Sequence, residues 1–353
     1  MIKSTLLLCV ILLLGCADKD GTEKLVLAAN NPFSTTISEP IAYANVTADH
    51  IEAYVDVTIS NAELDLDIIK TADRLSFENT FKIYDGIVND LTKASNNAFM
   101  LYWVSPDSLI RVKGLSGNQK IESFFTDMGS DKAIYDIFQT YANSDEGKLL
   151  TGSKKILITK VLDGFEHSGV NLSPKDLETY KRLSAEVNEL SATFSTNMNS
   201  AKETLILTEK QSEGLPENFK DTYRSEEGHY EVPIINATSG PVMNNATSSE
   251  VRKAYTLKKQ NIAADKNLSI LDSLISKRHQ IGKTMGSMSY AEYSLKPKMA
   301  KTPERVWEFV NGLIAESKEK ALKDIEVIKT VRNTEMNIPN DDSPINPWDS
   351  GYY

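Results

Sequence analysis

Cysteine is almost absent: Cys9 and Cys16 are the only two in 353 residues, and both stand near the N-terminus. The body of the chain therefore has no disulfide framework, and a domain of this size buries enough core to do without one. Histidine is nearly as scarce, at His50, His167, His229 and His279. No two stand four residues apart, which excludes the paired-histidine face of a zinc-binding helix. A metal site drawn from such distant positions is a weaker reading than four surface or structural histidines. No apolar run approaches the roughly 20 residues needed to span a hydrocarbon core. Basic charge is short as well, with 39 Lys and Arg against 49 Asp and Glu and a net charge of -10. That balance argues against a nucleic-acid or anionic-membrane binding surface, and the interspersed charges describe solvated helix faces instead.

What is present begins with a segment read as processed. Lys3 supplies a positive start, and residues 6–14 form an apolar stretch too short for a membrane span. The stretch ends in Leu13-Leu14-Gly15-Cys16, which resembles a bacterial lipobox: small Gly15 admits the peptidase and the Cys16 thiol takes the lipid. The expectation is a lipoprotein signal peptide over 1–15, a lipidated Cys16 and a tether over 16–30. These place the protein in the bacterial cell envelope on the exported side of a membrane, periplasmic or at the cell surface. An ordinary secretory signal with an incidental cysteine is the alternative.

The remainder reads as mainly α. Ser173 is a natural cap, Pro174 suits a first turn where its missing N–H is harmless, and Asp176 completes a capping-box-like start. Leu177, Tyr180, Leu183, Val187, Leu190, Phe194 and Met198 follow at steps of three and four. They form the core-facing stripe of a helix to about residue 203, roughly 45 Å long. Thr302-Pro303-Glu304 opens a second long helix of about thirty residues. Its expected buried face is Val306, Trp307, Phe309, Val310, Leu313 and Ile314, continued by Leu322, Ile325, Ile328 and Val331. Pro339, Pro344 and Pro347 then make an irregular connection. Trp348, Tyr352 and Tyr353 have no partner legible in the sequence and are expected to leave an exposed aromatic edge.

Shorter helices are expected at 48–58, 65–72, 78–94, 120–128, 132–142, 152–163, 249–260 and 268–285. Tyr230-Glu231-Val232-Pro233-Ile234-Ile235 alternates weakly and gives one small β element near 230–243, with a loop over 236–247. Gly282-Lys283-Thr284 imitates the end of a phosphate loop, but no glycine stands five residues before Gly282 and no apolar strand leads in. Asn45, Asn236 and Asn245 open glycosylation sequons that a bacterial lipoprotein would not normally use. Glu226, Glu227 and His229 read as a polar loop.

Several stretches are similar, in order, to one family. Asn31-Pro32-Phe33, Thr47-Ala48-Asp49-His50-Ile51 and Ser76-Phe77-Glu78-Asn79-Thr80 come first, then Gly169-Val170-Asn171-Leu172 and the helix through Leu190-Ser191-Ala192-Thr193-Phe194-Ser195. The longest run is Tyr290-Ala291-Glu292-Tyr293-Ser294-Leu295, continuing through Lys298-Met299-Ala300 to Pro303-Glu304, and the last is Pro347-Trp348-Asp349-Ser350-Gly351-Tyr352-Tyr353. Together they resemble the thimet oligopeptidase, oligopeptidase A and peptidyl-dipeptidase Dcp family of zinc metallopeptidases, over 31–353. Residues 98–144 are only loosely similar, and 261–267 are shortened or altered, which puts substrate preference in doubt.

The resemblance implies the multi-helix N-terminal lobe of a two-lobed oligopeptidase that admits short peptides. It also implies a zinc ion in the intact enzyme, held by a His-Glu-x-x-His helix and a distant Glu that this sequence does not contain. The expectation is therefore that 31–353 is truncated before the catalytic domain, binds no zinc alone and cleaves nothing alone. No catalytic or metal residue is assigned, and substrate-binding residues stay unassigned. A complete, non-catalytic helical lipoprotein that binds peptides or a partner protein is the alternative.

Overall fold

Ile51, Val55, Ile59, Ala62, Leu66 and Ile69 recur at steps of three and four and are all buried, so one continuous helix, α1 (Ala48–Lys70), replaces the two helices expected there. Thr58-Ile59-Ser60-Asn61 are weak helix formers, and burial of Ile59 and Ala62 overrides that propensity. The computed structural model describes residues 23–35 and 38–353; the expected signal peptide over 1–15 and the lipidation residue Cys16 lie outside them. The fold is mainly α, thirteen helices with one two-stranded sheet among the described residues. It divides into two units, one ending at Val170 and the other starting at Asn171.

In the first unit α1 is followed by α2 (Phe81–Val104), α3 (Ser108–Gly129), α4 (Lys132–Ala142), α5 (Asp145–Leu149) and α6 (Gly152–His167). α2 and α3 both run longer than expected and pair as a hairpin. Gly114 permits their approach, since a Cβ there would stand 2.5 Å from the Ala98 carbonyl oxygen. Phe138 of α4 stacks on Phe81 at 4.5 Å and meets Tyr84 and Phe165 edge-on at 5.2 and 5.7 Å. These rings tie α2, α4 and α6 into one core.

The second unit runs α7 (Pro174–Ser200), β1 (Thr204–Leu207), α8 (Glu217–Tyr223), β2 (Tyr230–Pro233), α9 (Asn236–Asn245), α10 (Ser249–Gln260), α11 (Ala264–Thr284), α12 (Tyr290–Leu295) and α13 (Pro303–Glu335). α7 starts as the sequence predicts, with Ser173 Oγ accepting from the Asp176 N–H. Its stripe is only half-buried, with Leu183 alone fully covered. It packs antiparallel to α11, where Asn197 meets Asn267 at one end and Glu186 meets Lys277 further along.

β2 pairs antiparallel with β1, Leu207 opposite Tyr230 and Leu205 opposite Val232, and these four side chains point into the second core. The loop expected over 236–247 is instead α9. Gly240 and Pro241 read as a break, but Thr238 is buried, donating to the Pro233 carbonyl and sharing a hydrogen bond with Tyr255 at 2.8 Å, and Val242 is buried beside it. Among the described residues no helix is long and apolar enough to cross a membrane.

Candidate functional site

The C-terminal motif folds onto this chain's own α10, which corrects the exposed aromatic edge expected from the sequence. Arg252 of α10 is fully buried, and its Nε and Nη2 donate to Asp349 Oδ1 at 3.0 and 2.7 Å. Its Nη1 donates to the carbonyls of Ala246 and Thr247, just before α10 begins. Asp349 also accepts from Ser249 Oγ at 2.8 and 2.9 Å and from Asn346 Nδ2 at 3.0 Å. Burial pushes the Asp349 carboxyl up, and the hydrogen bonds from Asn346, Ser249 and Arg252 outweigh it and hold the group below the usual carboxylate range.

Aromatic rings close the arrangement. Tyr352 lies over the Arg252 guanidinium at 4.0 Å, Trp348 Nε1 donates to Ser249 Oγ at 3.2 Å, and Lys253 stands 5.5 Å above the Trp348 ring. Tyr352 then reaches α13, its hydroxyl donating to Glu335 at 2.8 Å. Arg332, the buried residue of α13, donates to the carbonyls of Ser343 and Asp341 at 2.8 and 3.0 Å. The connection after α13 is therefore fastened at both ends. A permanently charged guanidinium and a carboxylate held ionised have no proton to exchange near neutral pH, so this cluster positions chain and performs no acid–base chemistry.

α13 departs most from expectation. Thr302 caps it by accepting from the Arg305 N–H, and Pro303 fills its first turn, as predicted. The face expected to be buried is open: Trp307 is 63% and Phe309 68% exposed, and Val306, Leu313, Ile314, Leu322, Ile325 and Val331 are exposed with them. An apolar stripe of that extent marks an interaction surface.

The histidines occupy separate local roles. His50 forms a capping box with Thr47, its Nδ1 accepting from the Thr47 N–H at 3.2 Å. His167 lies in the last turn of α6, His229 sits 3.1 Å from Glu231, and His279 is exposed on α11. Among the described residues no three His, Cys, Asp or Glu gather where they could hold a metal ion. Gly282, read above against a phosphate loop, is packed where a Cβ would stand 2.8 Å from the backbone of Ser289 and Tyr290. The Tyr290–Leu295 run forms α12, capped by Ser289 accepting from the Glu292 N–H while Glu292 accepts from the Met288 N–H.

Sequence reasoning missed the Arg252–Asp349 pair. Asp349 lies in the last of the stretches that carry the resemblance and Arg252 on the helix expected at 249–260, and nothing in the sequence joins the two. The model of Peptidase family M3 matches residues 242–353, which holds both partners. Oligopeptidase A of Haemophilus influenzae is 24% identical over 343 residues, covering 93% of this chain and 50% of that protein. Saccharolysin of Saccharomyces cerevisiae is 25% identical over 336 residues, covering 91% of this chain and 47% of that protein. A probable thimet oligopeptidase of Arabidopsis thaliana is 23% identical over 233 residues, 66% of this chain and 32% of that protein. The chain spans about half the length of the first two of these relatives and about a third of the last.

Proposed function

We propose that this chain, whose residues 242–353 match the model of Peptidase family M3, is the helical, substrate-admitting part of a zinc-dependent metallopeptidase that hydrolyses short peptides, carried on a lipid anchor at Cys16 on the exported side of a bacterial membrane. In this reading the zinc ligands and the peptide-bond chemistry belong to polypeptide outside residues 31–353. The role of this chain is to wall a cleft with its long helices and to hold the start of the remaining polypeptide in place. The observation that carries the reading is the open apolar face of α13 beside a C-terminal motif latched through Arg252 and Asp349. A seat without a cover is what half of a larger body presents.

The reading frame after Tyr353 tests it. A continuation with two histidines four residues apart on a helix and a downstream glutamate supports the proposal, as does chelator-sensitive cleavage of short peptides by that longer protein. A stop codon directly after Tyr353 overturns it and leaves a non-catalytic helical lipoprotein that binds peptides or a partner. The anchor has its own test: Cys16→Ser releases the protein from the membrane fraction and abolishes lipid labelling, and retention with unchanged labelling refutes it.

A further inference from the structure

The hairpin of α2 and α3 ends in an apolar tip that no part of the proposed peptidase role uses. Phe99, Met100, Trp103 and Val104 stand on the last turns of α2, and Leu109 and Val112 on the first turns of α3. All six are exposed, Trp103 by 45% and Val104 by 66%. Positions 99 and 103, like 100 and 104, are one helical turn apart and form a single stripe. The rings of Phe99, Tyr102 and Trp103 pack on one another, with centroids 5.1 to 6.0 Å apart. Residues 98–144 are also a stretch only loosely similar to the family pattern.

The turn between the helices is built to lose water. Asp107 accepts from the N–H groups of Leu109 and Ile110 and so caps α3. Arg111 Nη1 donates to the carbonyls of Ser105 and Pro106, both at 2.8 Å, which would otherwise need solvent partners. Backbone groups satisfied in this way remove much of the penalty of entering an apolar phase. Excess negative charge is locally absent as well. From Lys93 to Lys120 the chain carries four cations, Lys93, Arg111, Lys113 and Lys120, against the single carboxylate of Asp107, within a protein of net charge -10. Lys113 and Lys120 are answered by Glu52 and Asp56 of α1, which leaves the tip itself free of excess negative charge.

We propose that this tip is a membrane-contact surface, seating Trp103 and its apolar neighbours at the boundary between lipid headgroups and acyl chains. Trp and Tyr favour that boundary because one end is apolar and the other polar. A membrane near the tip rests on the lipid anchor proposed above, whereas affinity of the tip for lipid does not. A lipid on Cys16 would be within reach of the same surface. Leu25 is held by Asn61 on α1, a level roughly 20 Å along the helices from the first turn of α3. The chain from Cys16 to Glu23 extends to about 25 Å at most.

The test uses the Cys16→Ser protein, which has no lipid of its own, sedimented with vesicles of phosphatidylcholine and of phosphatidylcholine with phosphatidylglycerol. The protein is expected to partition onto both to a similar extent, because the lysines near the tip are paired with carboxylates and the net charge is -10. Trp103→Ser/Val104→Ser is expected to lower partition at least tenfold with an unchanged thermal midpoint, because both side chains are exposed. Trp307→Ser/Phe309→Ser on α13 is expected to leave it unaltered. No partition of the Cys16→Ser protein overturns the proposal, and lipid labelling of the unaltered protein then reports on the anchor separately. Partition lost through the α13 variant, or concentration-dependent dimerisation abolished by the tip variant without any partition, overturns it equally.

Discussion

Asp349 and Arg252 meet across 97 residues of sequence, carboxylate to guanidinium at 2.7 Å, with the arginine wholly buried. The pair fixes the path of 346–353: Asn346 and Ser249 complete the carboxylate's partners, and Tyr352 covers the guanidinium. A buried ion pair says little about net stability, because desolvation offsets attraction. Removing one partner is different, since the other is left as an uncompensated charge.

Asp349→Asn is accordingly expected to destabilise the second unit by about 3–5 kcal/mol, with Arg252→Met/Asp349→Leu recovering much of the loss. Urea unfolding followed through Trp348 fluorescence measures both. A change under about 1 kcal/mol in the single variant would mean that the pair does not form as described.

The same carboxylate sets an acid limit. Its folded pKa lies below the ordinary value because the hydrogen bonds from Asn346, Ser249 and Arg252 overcome the opposing effect of burial. A depressed folded pKa gives stability that is complete above the unfolded value of about 3.9 and is lost as pH falls through the folded value. Trp348 should therefore stay docked at pH 5 and be released progressively below about pH 4. In Asp349→Asn that acid step disappears; a step of unchanged size would assign it to other carboxylates.

Helix starts were legible because their chemistry is local. Ser173-Pro174 and Thr302-Pro303 each place a cap and a first-turn proline side by side, and both helices begin there. Periodicity states which residues share a face and is silent on what covers it, so Trp307 and Phe309 were expected in a core and stand open. α9 was hidden for the opposite reason: Gly240-Pro241 signals a break locally, while the bonds from Thr238 to Pro233 and Tyr255 that hold it come from elsewhere. β1 has only four residues, too few for alternation to register beside a long helix. The Arg252–Asp349 pair has no local signature, so the candidate site was legible only as a family-like C-terminal stretch and a separate expected helix, not as one cluster.

Gly282 tests the contact between α11 and α12. It has an ordinary helical backbone, so space decides: a methyl group would stand 2.8 Å from the Ser289 carbonyl carbon and the Tyr290 nitrogen, backbone atoms that cannot swing aside. Gly282→Ala should destabilise the second unit by about 1–3 kcal/mol, against the gain alanine normally brings to a helix. Thermal unfolding of this variant beside Gly312→Ala, a helical glycine with open space around its missing side chain, separates the two effects. A Gly282→Ala protein as stable as the Gly312→Ala protein would place α12 away from α11.

Trp307 and Phe309 carry the last prediction. Surface side chains outside any special contact change stability little, so Trp307→Ser/Phe309→Ser in this chain should move unfolding by less than about 0.5 kcal/mol for each site while reducing binding of a hydrophobic dye several-fold. In a protein continued past Tyr353 to the length of the matched relatives, the same two rings should be shielded from an aqueous quencher. There the substitutions should become destabilising by about 1.5–3 kcal/mol for each ring newly buried. The contrast between the two backgrounds is the informative quantity. Equal quenching and equal, small effects in both would mean that the additional polypeptide seats elsewhere and that the α13 face serves a different partner.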